Sequence, residues 1–453
     1  MYDIVAIKLQ QSKKAHLILN EYLAEKLNLA KLKRGYVSFG VKKIYVDVDV
    51  SGDSRADEII ISQAVAKELY IPEYPIYEIK VKGNEFMLGP CIGILACQKE
   101  KDLTKRILKE MALYVMDYGR IHGAVIAFSL EKVNKDNHTI EGYCYNPQKE
   151  SWEHGVFPYP LSIYRRSRLS DEWENHFLSL IGDTTFNNYS FDKWDMHKWF
   201  SKEREIAEHI PRTIVYRQKK DLYDMLERHG IVYVKPIWGM KGFGVIRVSK
   251  EDEKLRFRYR EDGNNIDFEL AEEKEIDDIL KKLFSPGACI IQQGLELISY
   301  DGGLVDFRCV MQKNEIRKWE CSSIIARVGA KESVVSNISS GGAALPGMDL
   351  IRAALASSHL EAFNIKEGLI SLCMKVCNTL DSYGYNFGTL GLDIGVDKNK
   401  KIWLIEVNNR RPHPAIALRA SDIQAYYTIL TAPLRYAKAL AGFGSKEEEK
   451  DAL

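Results

Sequence analysis

The sequence predicts an α+β protein in which a small N-terminal β-barrel and an α/β unit precede two further α+β units. Three observations lead to this fold class. The first 88 residues contain an internal repeat, a βα alternation starts near residue 89, and strand and helix patterns alternate again from 230 to 442. A chain of 453 residues is long enough for several units that each have their own core.

The N-terminal repeat has an offset of 42 residues, with LILNEYLAEKLNL (17–29) aligned to IIISQAVAKELYI (59–71). Asn20 and Ser62 occupy equivalent positions, and both residue types are favoured at helix N-caps. Each copy therefore predicts a strand followed by a short helix, and neither copy can bury its apolar face alone. We expect the copies to interlock as a barrel that resembles double-psi barrels and acts as a structural or docking module.

The chain is predicted to begin with the barrel at 1–88 and the α/β unit at 89–189, and to end with a charged tail at 443–453. Helix and strand patterns fill the α+β region between them, at 190–442. The α/β unit is expected to contain one helix over 103–118. The α+β region is expected to open with a helix over 192–209 and to continue with one that ends before Gly230, a typical residue just beyond a helix.

Composition and charge exclude several classes of protein. Sixty-four basic residues against 63 acidic ones leave a formal charge of +1, which argues against nucleic acid as a partner. No run approaches 18 apolar residues, so we expect neither a signal peptide nor a membrane span. Eight cysteines without a CxxC pair are typical of buried thiols in a reducing, cytoplasmic protein, and Cys373 and Cys377 are expected on one helix face.

The first motif is VYVKPIWGMKGFGV, at 232–245. Lys235 ends a predicted strand, where its ammonium would lie over the phosphates of a nucleotide. The glycines at 239, 242 and 244 would let backbone amides approach phosphate oxygens without a Cβ in the way. The lysine precedes the glycines, so this is not a Walker loop, and an ordinary glycine-rich hairpin is the alternative interpretation.

The second motif is LGLDIGVDKNKKIWLIEVNN, at 390–409. It predicts two antiparallel strands with a short turn, which would bring Asp393 close to Glu406. Asn408 would share a face with Glu406 because side chains alternate along a strand. Two carboxylates and an amide oxygen suit Mg²⁺. The alternative is a solvated hairpin, but unpaired carboxylates within such apolar runs would be costly.

A third motif lies between these two. DFRC (306–309) is followed by IIARVGAKESVVSNISSGG (324–342), and arginines suit bidentate contacts with phosphate. Asn337 and the glycine pair at 341–342 would form a loop of small residues over the γ-phosphate of a nucleotide.

In this order and spacing, the motifs resemble the ATP-grasp superfamily, and the ATP-grasp half resembles the RimK-type glutamate ligases. The whole chain resembles the YheC/YheD family of endospore coat-associated ATP-grasp proteins. The resemblance implies an ATP-grasp fold of two α+β subdomains, a lid subdomain at 190–293 and a catalytic subdomain at 294–442. A small α/β pre-ATP-grasp domain and the N-terminal barrel would precede it.

The resemblance also implies roles for individual residues. The implied catalytic residues are Arg308, Arg327 and Asn337. The implied ATP-binding residues are Lys193, Lys235, Gly239, Lys241, Gly242, Gly244, Gln292, Gln293, Leu295 and Asp306, with the pair at 292–293 and Leu295 forming the adenine hinge. The implied metal ligands are Asp393, Glu406 and Asn408. Lys198 competes with Lys193 for the position of the first ATP lysine.

Arg410 and Arg411 follow directly after the implied metal site, where related chains tend to have small residues. They are candidates for holding an anionic substrate, whereas surface arginines more often contribute nothing of this kind.

The implied reaction is ATP-dependent ligation of a carboxylate to an amine through an acyl phosphate. The implied cofactors are ATP and two Mg²⁺ ions, with Mn²⁺ as a substitute. The acid and the amine are unidentified, and a peptide or spore coat protein is one candidate acceptor. Two other functions stay open, namely an ATP-grasp phosphotransferase and a non-enzymatic, nucleotide-binding coat protein or scaffold.

Overall fold

The computed structural model of the protein describes residues 2–29, 31–52, 55, 57–239, 243–262, 264–331, 341–356, 358–409 and 413–444. Within these residues the strands form a barrel and three open sheets that follow one another along the sequence. Several of the predicted site residues lie outside the described residues, and they are Lys241, Gly242, Asn337, Arg410 and Arg411.

Seven strands and two helices form the N-terminal barrel. They are β1 (Tyr2–Gln10), β2 (His16–Asn20), α1 (Glu21–Lys26), β3 (Arg34–Phe39), β4 (Lys42–Ser51), β5 (Glu58–Ser62), α2 (Gln63–Leu69), β6 (Tyr77–Lys82) and β7 (Glu85–Gly89). The strands close in the order β1-β5-β2-β4-β3-β7-β6, and β6 pairs back with β1.

The two copies of the repeat form equivalent parts of this barrel. The β2–α1 and β5–α2 units meet where β2 and β5 pair antiparallel, with Leu17 opposite Ile61. The side chain of Asn20 accepts a hydrogen bond from the amide of Leu23 at 2.7 Å, and Ser62 caps α2 at the equivalent position. The interlocked barrel expected from the repeat is therefore present, whereas the double-psi topology stays a prediction.

The second sheet belongs to the α/β unit. Its elements are β8 (Cys91–Cys97), α3 (Lys105–Ala112), α4 (Tyr118–Ile121), β9 (Ala124–Asn134), β10 (Thr139–Asn146), β11 (Ser151–Pro158), β12 (Ser162–Arg165), α5 (Asp171–Ile181) and β13 (Thr185–Phe186). The order is β11-β10-β9-β8-β12-β13, and β8 runs parallel to both β9 and β12. The carboxyl ends of β8 and β12 therefore lie side by side, where open α/β sheets commonly bind ligands.

The single helix predicted over 103–118 is wrong. The α-helix α3 ends at Ala112, and a 3-10 turn over Leu113–Val115 separates it from α4. Tyr114 and Val115 are both buried. A 3-10 turn has 3.0 residues per turn instead of 3.6, so it interrupts the α-helical periodicity after Ala112, and the apolar pattern over 103–118 does not continue along one helix face.

The third sheet follows two short helices. The elements are α6 (Lys193–Phe200), α7 (Arg204–Ala207), β14 (Thr213–Val215), α8 (Lys219–His229), β15 (Ile231–Pro236), β16 (Ile246–Glu251), β17 (Lys254–Glu261), β18 (Asn264–Leu270), α9 (Glu273–Leu283) and β19 (Cys289–Gln293). The strand order is β14-β19-β15-β16-β17-β18, and all the pairs are antiparallel.

The single helix predicted over 192–209 is also wrong, because α6 and α7 are separate. Phe200 and Ile206 both lie in the core shared with the fourth sheet. On one continuous helix their spacing would place them on different faces, so the break lets both pack inward. The predicted helix end before Gly230 is confirmed, and this glycine has φ of +68° just after α8.

The fourth sheet completes the fold. Its elements are β20 (Ser299–Tyr300), β21 (Gly303–Lys313), β22 (Trp319–Val328), β23 (Ala343–Pro346), α10 (Gly347–Ala354), α11 (His359–Ser382), β24 (Thr389–Val396), β25 (Ile402–Asn408), α12 (Ala415–Arg419) and α13 (Ile423–Lys438), followed by a π-helical turn at Ala439–Phe443. The order is β23-β22-β21-β24-β25, with β20 paired to β21. Cys373 and Cys377 are both buried on α11, as expected.

None of the helices that the structure describes is both long and apolar enough to cross a membrane.

Helix α13 connects the second sheet to the fourth. Ile429 packs into the core beside β21 and β22, whereas Leu430 and Leu434 pack into the core of the second sheet. The hydroxyl of Ser162, on β12, donates a hydrogen bond to the carbonyl oxygen of Ala437 at 2.7 Å. This helix therefore fixes the position of β12 relative to the strands of the fourth sheet.

Asn187 makes a second connection between these sheets. Its Oδ1 accepts hydrogen bonds from the amides of Gly388 at 3.0 Å and Thr389 at 3.1 Å, and its Nδ2 donates to the carbonyl oxygen of Thr389 at 2.8 Å. The residue is 3% exposed and has φ of +55°, a conformation that asparagine tolerates better than most residues. Asn187 therefore holds the start of β24 in place.

We expect Asn187→Ala to lower the free energy of unfolding by about 3 kcal/mol. The change leaves buried backbone groups of Gly388 and Thr389 unpaired and forces alanine into a left-handed conformation. Urea unfolding followed by fluorescence measures this. Asn265→Ala, on the exposed face of β18, is the matched control and should stay within about 0.5 kcal/mol of the parent. Equal unfolding midpoints for the two variants would contradict the role of Asn187.

Candidate functional site

A cavity of about 890 Å³ lies where the second, third and fourth sheets meet. It is bordered by the carboxyl end of β12, the start of α6, the loop after β15 and the end of β25. Its lining residues are Arg165, Arg166, Ser167, Arg168, Asn187, Ser190, Phe191, Asp192, Lys193, Met196, Ile237, Trp238, Gly239, Glu406, Val407, Asn408 and Asn409. Four of the predicted site residues therefore line this cavity, namely Lys193, Gly239, Glu406 and Asn408.

Lys193 enters the cavity from the first position of α6. The helix begins with a capping box in which the side chains of Asp192 and Asp195 bond each other's backbone amides. The Nζ of Lys193 donates a hydrogen bond to the carbonyl oxygen of Gly239 at 3.1 Å and lies 3.4 Å from Oε1 of Glu406. The competitor Lys198 instead pairs with Asp195 at 2.9 Å, so the geometry favours Lys193 as the lysine of this site.

The predicted strand pair is present in β24 and β25. Asp393 lies opposite Glu406 in the antiparallel register, and Asn408 follows two positions later on the same strand. The carboxylate of Glu406 and the amide of Asn408 both line the cavity. The Nδ2 atom of Asn408 is buried and has no hydrogen-bond partner among the residues that the structure describes.

Asp393 belongs to an ion cluster that the motifs alone did not predict. Its Oδ1 lies 2.5 Å from Nε of Arg308, and its Oδ2 lies 2.8 Å from Nη2 of Arg327. Arg327 also donates two hydrogen bonds to Asp306, each at 2.5 Å. Burial would raise the pKa of Asp393, but the two guanidinium groups outweigh burial and hold that pKa below its usual range.

The donor set can be tested against Mg²⁺. Glu406 and Asn408 line the cavity, and their side-chain oxygens are donors of the type that Mg²⁺ prefers. The unpaired Nδ2 of Asn408 is a hydrogen-bond donor, which suits an acceptor such as a phosphate oxygen and not a metal ion. Asp393 would have to share its oxygens with two arginines. Within the described part of the chain no group of three or more His, Cys, Asp or Glu side chains is placed to hold a metal ion. Mg²⁺ at Glu406 and Asn408 would therefore need further oxygens from phosphate or water.

Lys235 lies near the end of β15, just before the loop that borders this cavity. Its Nζ donates a hydrogen bond to Oε1 of Gln292 at 2.5 Å, and Gln292 in turn donates to the hydroxyl of Thr213 at 3.2 Å. Burial lowers the pKa of Lys235 to about 8, partly opposed by the negative charge of Glu406. Lys193, which contacts both Gly239 after β15 and Glu406 on β25, is the direct link between the third and fourth sheets at this site.

The three predicted hinge residues differ in what they can offer to an adenine. Gln292 lies within β19, between β14 and β15, so its main chain is part of the sheet ladder. The amide of Gln293 donates to the carbonyl oxygen of Arg212 at 2.8 Å. Leu295 lies beyond the strand end. The expected backbone contact therefore fits Leu295 better than the other two residues.

The two described glycines of the predicted phosphate loop have different local reasons to be glycine. Gly244 has φ of +70°, and a Cβ there would lie 2.9 Å from the Pro236 ring. A Cβ at Gly239 would lie 3.6 Å from its nearest neighbour, which is an ordinary van der Waals contact, so packing alone does not require glycine. The position remains open for a backbone approach by a ligand.

Several residues that line the cavity lie outside the motifs predicted from the sequence. Asn409 donates a hydrogen bond to the carbonyl oxygen of Phe191 at 3.0 Å and so holds the segment before α6. Arg165, Arg166 and Arg168 come from the run RRSR directly after a short apolar strand. That run of basic residues next to a strand end was the available sequence signal.

Comparison with known proteins gives the chain a family context. The family model for YheC/D-like ATP-grasp proteins matches residues 182–440. The chain is 25% identical over 368 residues to endospore coat-associated protein YheD of Bacillus subtilis (strain 168), covering 78% of this chain and 79% of that relative. It is 23% identical over 337 residues to endospore coat-associated protein YheC of the same strain, covering 72% of this chain and 90% of that relative.

Two solved structures overlap more distantly. The ATP-grasp ligase PsnB, complexed with minimal precursor, Mg and ADP, overlaps with a TM-score of 0.43 and 13% identity, covering 78% of this chain and 99% of that chain. VanG D-Ala:D-Ser ligase from Enterococcus faecalis overlaps with a TM-score of 0.43 and 12% identity, covering 78% of this chain and 98% of that chain. Overlaps this weak do not bear on the reaction of the present protein.

We expect Asp393→Asn to destabilise the protein by about 3 kcal/mol, because it leaves Arg308 and Arg327 buried with one carboxylate between them. Glu406→Gln is the comparison variant, since Glu406 is 32% exposed and lies outside the ion cluster. It should change stability by about 0.5 kcal/mol or less. Chemical unfolding of both variants measures their free energies of unfolding. An unchanged free energy for Asp393→Asn would show that the ion cluster contributes little to stability.

Proposed function

The chain belongs to the YheC/D-like ATP-grasp family, and from this premise we propose that it is an ATP-dependent carboxylate–amine ligase. The observation that carries the proposal is the meeting of Lys193, the carbonyl of Gly239 and the carboxylate of Glu406 within 3.4 Å in one cavity. These groups come from a helix start, a glycine-rich loop and a strand end. Their convergence supplies what phosphoryl transfer needs, namely positioning and charge neutralisation.

ATP is proposed to lie between the third and fourth sheets. Lys193 and Lys235 would neutralise phosphate oxygens, and the main chain of Leu295 would receive the adenine. Two neutral oxygen atoms position these ammonium groups. The carbonyl oxygen of Gly239 accepts a hydrogen bond from Lys193, and Oε1 of Gln292 accepts one from Lys235. Lys241 and Gly242 would complete the phosphate loop.

Glu406, Asn408 and Asp393 are proposed to hold Mg²⁺, and two ions are proposed in total. When bound, Mg²⁺ neutralises charge on the transferring phosphate oxygens. Arg308 and Arg327 keep Asp393 ionised and fix its position. In this proposal the two arginines act on the metal site indirectly, by positioning Asp393. Asn337 would contact the transferred phosphate.

The proposed reaction has two steps. A substrate carboxylate attacks the γ-phosphate of ATP, which releases ADP and forms an acyl phosphate. An amine then attacks the acyl carbon, which releases phosphate and forms an amide. The cavity bordered by the three sheets would limit the access of water to the acyl phosphate, which water would otherwise hydrolyse.

The curated relatives YheD and YheC are both described as endospore coat-associated. We extend that association to this chain, with a peptide or coat protein as the proposed acceptor and the cytoplasm or the spore coat as the proposed location. The four-unit division of the chain, with boundaries at 88, 189, 293 and 442, belongs to the same proposal.

One observation favours a second function, a coat protein that binds nucleotide without turning it over. The two arginines on Asp393 compete with any metal ion for its oxygens. If that competition always favours the arginines, ATP would bind but would not react. ADP formation distinguishes the two functions.

We expect Glu406→Gln to abolish ADP formation while ATP binding stays within about 3-fold of the parent. The amide has the size of the carboxylate but lacks the charge that holds Mg²⁺, whereas the lysines still bind phosphate. Coupled detection of ADP and fluorescence titration with a labelled ATP measure the two properties. Glu296→Gln, at an exposed ion pair with Lys398, is the control. Normal turnover in Glu406→Gln would refute the metal assignment.

The affinity for ATP without metal should fall as the pH rises through about 8. Lys235 is charged below its pKa and neutral above it, so the favourable contact with phosphate is present at pH 7 and is lost towards pH 9. In Lys235→Arg, whose guanidinium stays charged, the affinity should be flat over this range. Titrations at pH 6.5, 8 and 9 measure this, and parallel profiles for both proteins would exclude Lys235 as the titrating group.

A further inference from the structure

We propose that Arg168 recognises a carboxylate that the reaction does not consume, so that the substrate of this cavity is an organic anion with a carboxylate distant from the reacting group. This inference rests on the proposed ligase function, because it places the far end of the substrate in the same cavity. Neither the motifs nor the comparisons assign a role to Arg168.

The chain that leaves β12 lines the same cavity as Glu406. Two of its three arginines are occupied by the protein itself. Arg165, whose side chain is 9% exposed, bonds Glu174 and the carbonyl oxygen of Asn188. Arg166, whose side chain is 7% exposed, lies 2.7 Å from Glu110. These two guanidinium groups hold the α/β unit together and are not available to a ligand.

Arg168 differs from both neighbours. Its side chain is exposed in the cavity, and no carboxylate of the described residues forms an ion pair with it. A guanidinium group binds a carboxylate with two parallel hydrogen bonds, so an unpaired arginine in a cavity matches a carboxylate ligand in shape and charge.

The main chain that carries Arg168 is fixed in place. The amide of Arg166 donates to the carbonyl oxygen of Leu95 at 3.0 Å. Gln98 follows β8 and donates from Nε2 to the hydroxyl of Ser167 at 2.7 Å and also to the carbonyl oxygen of Arg168. The segment therefore joins the carboxyl ends of two parallel strands, and binding would not have to order it.

The charges around the cavity give the substrate one orientation. Glu406 and Asp192 line the cavity with Lys193, and they would repel a carboxylate unless bound Mg²⁺ offsets their charge. Arg168 would attract the spectator carboxylate without a metal ion, and the reacting carboxylate would lie near Glu406 and Asn408, where Mg²⁺ is proposed to bind. A volume of about 890 Å³ is sufficient for a small anion or a peptide end.

The same carboxylate could belong to a free amino acid or to a peptide, and the probes are chosen to separate these sources. They are L-glutamate, L-aspartate and a tripeptide ending in glutamate, each paired with its amide: L-glutamine, L-asparagine and the C-terminally amidated tripeptide with a glutamine side chain. Binding to the full chain is measured by calorimetry with Mg²⁺ and a non-hydrolysable ATP analogue. ADP formation is measured separately with ATP.

We expect at least one carboxylate probe to bind roughly 10-fold or more tightly than its amide. Arg168→Gln should remove that preference, and Arg168→Lys should restore part of it. Arg106→Gln, an exposed arginine on α3 outside the cavity, is the matched control and should behave as the parent. The affinity for the ATP analogue should stay within about 2-fold in every variant.

Three results would overturn the proposal. The first is that the parent protein shows no preference for any carboxylate probe over its amide. The second is that this preference survives in Arg168→Gln. The third is that Arg168→Gln loses affinity for the ATP analogue, which would make Arg168 a phosphate ligand. Failure of the ligase function has a different signature. In that case a probe binds in an Arg168-dependent way and no ADP forms with any probe.

Discussion

The antiparallel pairing of β24 with β25 is the constraint on which the rest of the site depends. It places Asp393 opposite Glu406 and turns Asn408 toward the same cavity. Asp393 is in register with Arg308 on β21, and Arg327 on β22 reaches it from one strand further away. The cluster thereby couples three neighbouring strands through charge as well as through backbone hydrogen bonds. Such a cluster is stable when each buried charge is paired, and here Asp306 supplies the second carboxylate for the two arginines.

This arrangement divides the two carboxylates between different tasks. Asp393 is 8% exposed and occupied by arginines, so it mainly fixes the strand geometry. Glu406 is 32% exposed and pairs with Lys193, whose ammonium also contacts the glycine-rich loop. A charged ligand can exchange with that looser pair at lower cost than with the buried cluster. Glu406 on the edge strand β25 is therefore the more accessible of the two carboxylates, and its partners Lys193 and the glycine-rich loop come from outside the fourth sheet.

Local patterns predicted much of this fold from the sequence. The N-caps Asn20 and Ser62 marked the repeat that forms the barrel, and strand alternation placed Asp393 opposite Glu406 across a short turn. The breaks in the helices predicted over 103–118 and 192–209 depend on which side chains reach a core, so periodicity alone did not show them. The pairing of Arg308 and Arg327 with Asp393 joins residues far apart in sequence, and it depends on a cross-strand register that no local motif records. The position of Arg168 also depends on tertiary packing, because α13 fixes β12, and Arg168 follows β12 in the chain.

The central claim is that the cavity forms an acyl phosphate from ATP and a carboxylate. Trapping with hydroxylamine tests it most directly, because hydroxylamine replaces an unidentified amine and converts an acyl phosphate to a stable hydroxamate. The full chain is incubated with ATP, Mg²⁺, hydroxylamine and the carboxylate probes, and ADP and hydroxamate are quantified together. We expect equal amounts of both products with the parent protein and neither product with Glu406→Gln. ATP that binds without forming ADP, or ADP that accumulates with a stable phosphorylated product and no hydroxamate, would contradict the claim.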